Sequence, residues 1–108
     1  MSEMAVIVIR IRTEQAEDYE RLFEKSELPR WRDYHKRGLF KRARIFRSAF
    51  GSNEKKGIAN YVIAVESEGE GHHEHDNDPG FRAFDRKAGA FQPEAPLVFG
   101  GEPLFKVG

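Results

Sequence analysis

The chain predicts a small α+β fold, one antiparallel sheet covered by helices on a single face. Two observations carry that expectation. The chain opens on a short strand, residues 4–11, whose two faces are both apolar, and this strand runs at once into a helix with an acidic first turn. A second β-then-α passage begins at Ile58, so that the elements sum to β-α-β-β-α-β.

Each element has its own residue-level cause. In the first strand Val6, Val8, Arg10 and Arg12 fall on one side of the pleat. Thr13 reads as the N-cap of the first helix, and Glu14, Glu17 and Asp18 complement the helix dipole. Ala16, Tyr19, Leu22 and Phe23 recur at helical spacing as its buried stripe. Pro29 interrupts this pattern and predicts a kink or break near Leu28, with Ser26 capping a second segment. That segment carries Trp31, Tyr34 and His35 and stops at Gly38 after Lys36 and Arg37.

Residues 39–50 form the second expected strand, Ala43 and Ile45 alternating with Arg42, Arg44 and Phe46. Residues 51–57 are a polar hairpin loop bracketed by glycines. The third strand, residues 58–66, sets Tyr61, Ile63 and Val65 against Asn60, Val62, Ala64 and Glu66. Residues 67–77 are polar and His-rich and read as a loop or a weak helical turn. Asp78-Pro79 is the cap and first position of the last helix, with Phe81, Phe84, Ala88 and Phe91 on its apolar face and Pro93 and Pro96 beyond its end. Residues 97–99 and 104–107 are the last extended pieces.

A chain of 108 residues is expected to form one domain over residues 1–108. Its 18 basic and 18 acidic residues cancel, so no global field draws it to nucleic acid or anionic lipid. There is no cysteine, hence no disulfide, thiolate metal site or thiol nucleophile. The apolar run after Glu3 covers five residues, 5–9, too few for a secretory or membrane segment. A soluble, cytoplasmic protein is the expectation. No phosphate loop or serine nucleophile elbow occurs.

This order of elements is the ferredoxin-like split βαβ, which leaves one sheet face bare. Val6, Val8, Phe46, Val62 and Ala64 make that face too apolar to remain wet, so a partner copy, a nucleic acid, or a ligand together with a partner must cover it. RNA-binding domains of this topology carry stacking aromatics on strands one and three of the bare face. Here strand one has no aromatic and Tyr61 alternates to the other side, so nucleic acid is rejected. A homodimer through the sheet face is expected.

The strand ending at Arg12 with its acidic-start helix, residues 61–67 ending in Val-Glu-Ser, and the helix start at Asp78-Pro79 with its phenylalanines resemble the dimeric α+β-barrel superfamily. That resemblance implies paired sheets and a small-molecule pocket in each subunit. It includes cofactor-independent monooxygenases, haem-degrading enzymes, small isomerases and cyclases. The expected function is therefore small-molecule binding or cofactor-independent catalysis of monooxygenase or isomerase type, with no cofactor.

On the bare face Arg10, Arg12, Arg42 and Arg44 offer guanidinium forks suited to a carboxylate or phosphate, with Phe46 beside them; this predicts a small anionic organic ligand. His35 or Glu66 is the expected base, Asn60 an orienting group, and Trp31 part of the pocket mouth. Asn60 with Trp31 also resembles the polar-aromatic equipment of the superfamily's cofactor-free oxygenases. His72, His73 and His75 with Glu74, Asp76 and Asp78 are the most conspicuous polar cluster. Consecutive ligands without a distant second arm do not make a dedicated metal site, and the segment reads as solvated. Two alternatives stay open: a haem- or metal-binding protein using His35 or this histidine segment, and a structural dimer without catalysis.

Overall fold

The computed structural model describes residues 2–52 and 54–108. Strand β1 spans Ser2–Arg12, and a 3-10 turn, Thr13–Gln15, leads into α1, Ala16–Leu22. One π-helical turn, Phe23–Glu27, joins α1 to α2, Leu28–Lys36. Strands β2, Phe40–Arg47, and β3, Ile58–Glu68, follow. The short α3, Gly71–Asp76, precedes α4, Pro79–Gly89, and β4, Leu97–Gly101, closes the sheet. The strand order is β2-β3-β1-β4 with every neighbouring pair antiparallel, the ferredoxin-like arrangement.

Register decides which residues share a face. Val6 pairs with Ala64, Val8 with Val62 and Arg10 with Asn60 across β1 and β3, while Arg44 faces Ala64 and Phe46 faces Val62 across β2 and β3. Residues directly opposite lie on the same side, so the bare face has the composition that the alternation predicted. The other face carries Ile7, Ile9, Ile11, Ala59, Tyr61, Ile63 and Val65, packed against Tyr19, Phe23, Trp31, Tyr34, Phe84 and Ala88 of the helices.

The helical layer departs from expectation in two places. No side-chain bond caps α1 at its start; the Thr13 amide instead donates to the Gly57 carbonyl at 2.9 Å. Near Leu28 the predicted kink or break is an irregular but continuous turn; Ser26 makes no side-chain cap, and the first turn of α2 holds Pro29 as expected. Its missing N–H and crowding ring are absorbed by the wider turn just upstream, and helical backbone continues to Lys36. The histidine segment takes the helical one of its two expected forms, the short helix α3, inserted between β3 and α4.

The predicted ends fare better. Gly38, at φ 78°, closes α2 with its amide on the His35 carbonyl at 3.0 Å, and the Leu39 amide reaches Tyr34 at 2.9 Å, a Schellman ending. Asp78 Oδ1 accepts from the Gly80 and Phe81 amides at 2.8 and 3.3 Å at the start of α4. β2 stops at Arg47 instead of reaching Phe50, and residues 104–107 form no strand. Asn53 of the predicted hairpin loop lies outside the described residues. Among the described residues no helix is long and apolar enough to cross a membrane.

Candidate functional site

A cavity of about 460 Å³ lies between the helix-facing side of the sheet and the helices. The sequence placed the pocket on the bare face; within one chain this cavity is on the opposite side, where sheet and helices face one another. Three local features shape its wall. The π turn carries Glu27 into line with Phe23 and Trp31, whose rings meet edge to face at 5.0 Å. A register shift between Phe40 and Arg42 turns Phe40 inward opposite Ser67, so that its ring joins the wall. Helix α3 points His72 and His75, three residues apart, toward the same space.

Glu27 is 1% exposed and His75 9%. The His75 Nε2–H donates to Glu27 Oε1 at 2.7 Å. Around the imidazole stand Phe81 at 4.2 Å, Phe40 at 5.4 Å and Tyr34 at 5.5 Å between ring centres. The second carboxylate oxygen, Glu27 Oε2, is buried with no hydrogen-bond partner among the described residues. Arg30 Nε stands 3.7 Å from Oε1, outside the cavity lining, and balances the charge from behind. A buried carboxylate is costly to keep ionised without such partners, so the pair is held by geometry that fixes both groups.

Two more polar atoms of the wall are buried with no hydrogen-bond partner among the described residues, Gln92 Oε1 and His72 Nε2, the latter 4.0 Å from Glu3 Oε1. Burial lowers the His72 pKa, although Glu3 and Asp76 pull against it. The cavity opens along β4: Val98 lies opposite Ile7, on the helix side, yet is 65% exposed. Among the described residues no three His, Cys, Asp or Glu side chains are grouped to hold a metal ion.

Of the side chains that the sequence proposed for the pocket, Trp31 alone lines this cavity, joined by His72, His75 and Asp76 of the polar cluster. His35 is exposed, its Nδ1 tied to the Phe40 carbonyl at 2.9 Å. Asn60, Glu66, Arg10, Arg12, Arg42, Arg44 and Phe46 gather on the bare face, where Arg10 Nη1 binds Glu94 Oε1 at 2.7 Å. Reading His72 and His75 as solvated is corrected, because α3 turns both inward. Glu27 was missed, though a signal existed. Phe23, Glu27, Trp31 and Tyr34 follow at intervals of four, four and three, a lone acid inside an apolar stripe.

No family model matches the chain, and no curated protein matches it by sequence. Solved structures do. Rv0793 from Mycobacterium tuberculosis superposes with a TM-score of 0.77 at 14% identity, over 100% of both chains. A variant of SnoaB, a cofactor-independent oxygenase from Streptomyces nogalater, gives 0.70 at 14% identity over 98% of this chain and 96% of its own. A dimeric ferredoxin-like protein of unknown function from Thermobifida fusca gives 0.67 at 12% identity over 94% and 90%. Candidate antibiotic biosynthesis monooxygenases share the architecture as well. The chain thus shares the ferredoxin-like α+β fold of these structures.

Proposed function

We propose that the protein binds a small, largely apolar organic molecule in the cavity between sheet and helices and acts on it by proton transfer through Glu27 and His75. The observation that carries this reading is Glu27 Oε2, a buried carboxylate oxygen without a partner in an aromatic cavity, its twin oxygen held by His75. Oε2 would take a proton from an acidic C–H or O–H of the ligand, while the His75 N–H on Oε1 fixes the carboxylate and spreads its charge. The product is an enolate or phenolate, the electron-rich species from which either an isomerase or a cofactor-independent oxygenase proceeds. The same fold in a cofactor-independent oxygenase supports this class of chemistry.

The working unit we propose is a homodimer through the bare face, which supplies the cover that Val6, Val8, Val62, Phe46 and Phe99 need. The last two of these are 56% and 60% exposed in the single chain. A dimeric protein of the same fold supports this. Arg10, Arg12, Arg42, Arg44, Asn60 and Glu66 then line the seam between sheets, where guanidinium and carboxylate groups pair across it.

The test is a panel of enolisable and phenolic aromatic compounds, followed by turnover and by shifts of Trp31 and His75 signals. Glu27→Gln keeps the shape and the hydrogen bond to His75, and is expected to bind ligand while losing turnover by roughly 10²–10⁴-fold. Unchanged turnover in that variant, or ligand shifts confined to bare-face residues, would sink the proposal.

A further inference from the structure

We infer that the ligand of this cavity carries a positive charge, an ammonium group on an apolar body, and not the anion suggested by the arginine-rich strands. The inference rests on the reading of the cavity as the ligand site. The sheet sorts charge. Arg10, Arg12, Arg42 and Arg44 stand on the bare face, whereas the cavity is lined by four carboxylates, Glu3, Glu27, Asp76 and Asp85, and by no lysine or arginine. In a chain with 18 basic and 18 acidic residues, that separation is local design of the wall, not a consequence of composition.

Glu3, Asp76 and Asp85 are exposed residues of the cavity rim; among the described residues no lysine or arginine side chain forms an ion pair with any of them, and Glu3 and Asp76 have only His72 Nε2 at 4.0 Å and His75 Nδ1 at 3.5 Å. Arg82 approaches Asp76 only through its backbone carbonyl, at 3.3 Å. Deeper in, two unpartnered atoms, Glu27 Oε2 and Gln92 Oε1, are acceptors. A wall of acceptors asks for a ligand that brings donors, and an ammonium group has three donors and no acceptor. A cleft lined by one sign of charge above low-dielectric walls concentrates the opposite sign and excludes its own. Phe23, Trp31 and Phe84 supply ring faces and edges for the apolar body, and faces that attract a cation. The ammonium group sits at the acidic rim and the apolar body reaches inward, so that its far end meets Glu27.

Three shape-matched, spectroscopically silent probes separate charge from fit: adamantylamine, adamantanol and adamantanecarboxylate, read at neutral pH through the fluorescence of Trp31, the one tryptophan of the chain. The protonated amine is expected to bind roughly tenfold tighter than the alcohol, with the carboxylate weakest. In the Glu3→Gln, Asp85→Asn double variant the amine should lose most of that advantage while the alcohol is unaffected. Added salt should weaken the amine alone. An alcohol or carboxylate that binds as tightly as the amine overturns the charge inference and leaves the cavity site standing. If no probe perturbs Trp31, the cavity reading itself falls, and the charge inference with it.

Discussion

Glu27 shows how a residue's chemistry follows from where the backbone holds it. In a regular surface helix an acid among Phe23, Trp31 and Tyr34 would rotate toward water. Here the π turn keeps it inside, and His75 and Arg30 supply the interactions that make burial tolerable. His72 offers a reading of the same wall through pH. Its pKa is lowered from the ordinary 6.5, chiefly by burial, so the unfolded chain binds the proton more readily than the folded one. The contribution of His72 to stability is therefore full above about pH 6.5 and is lost as pH falls through the depressed folded value. Thermal unfolding measured between pH 7 and pH 5 should show this decline, and His72→Gln should flatten it. A decline of equal size in the variant would mean that other groups cause it.

Helix α3 is the element on which the site depends, since it carries both histidines, and it is too short to be stable alone. Its seat against the α2–β2 turn is set by Gly71. A Cβ there would stand 2.3 Å from the Leu39 carbonyl oxygen and 3.0 Å from the Ser67 Cβ, contacts that rigid backbone cannot relieve. Gly71→Ala should therefore cost about 1–3 kcal/mol and loosen the His75–Glu27 hydrogen bond as α3 lifts away. A lower melting temperature together with a shifted His75 imidazole signal is the expected pair of results; an unchanged melting temperature would contradict that packing. Asp78 anchors the following helix twice over, capping α4 and accepting from the Tyr34 hydroxyl at 3.1 Å, which ties α4 to α2 across the cavity. Burial works against its ionised form, but these hydrogen bonds keep the carboxyl below its ordinary range.

At the scale of the whole molecule the sheet divides two environments. One face is sealed by helices around the cavity; the other is an open surface where apolar residues run between rows of arginine. If that surface is the dimer seam, Val8→Asp, which places an unpaired charge at its centre, should yield monomers in light scattering at micromolar concentration while the native chain remains dimeric. A monomeric native chain would remove the proposed role of Arg10, Arg42, Arg44, Asn60 and Glu66 at the seam. The reading of Glu27, His75 and Trp31 would stand, because they belong to the helical layer on the other side of the sheet.

What the sequence determined by itself was periodic and local. Alternation along β1 and β3 set the two faces of the sheet, glycine at position 38 and Asp78 set helix ends, and the order of elements set the fold, since each follows from a repeat of two or 3.6 residues or from one capping group. Tertiary structure alone decided where the candidate site lies. Glu27 and His75 are 48 residues apart. Their meeting depends on a π turn, a bulge at Phe40 and the seating of α3, none of which leaves a period in the sequence. Pro29 predicted a kink or a break near Leu28 because local rules count hydrogen bonds within one segment. The fold keeps the helix whole because packing against the sheet outweighs the one bond that proline cannot make.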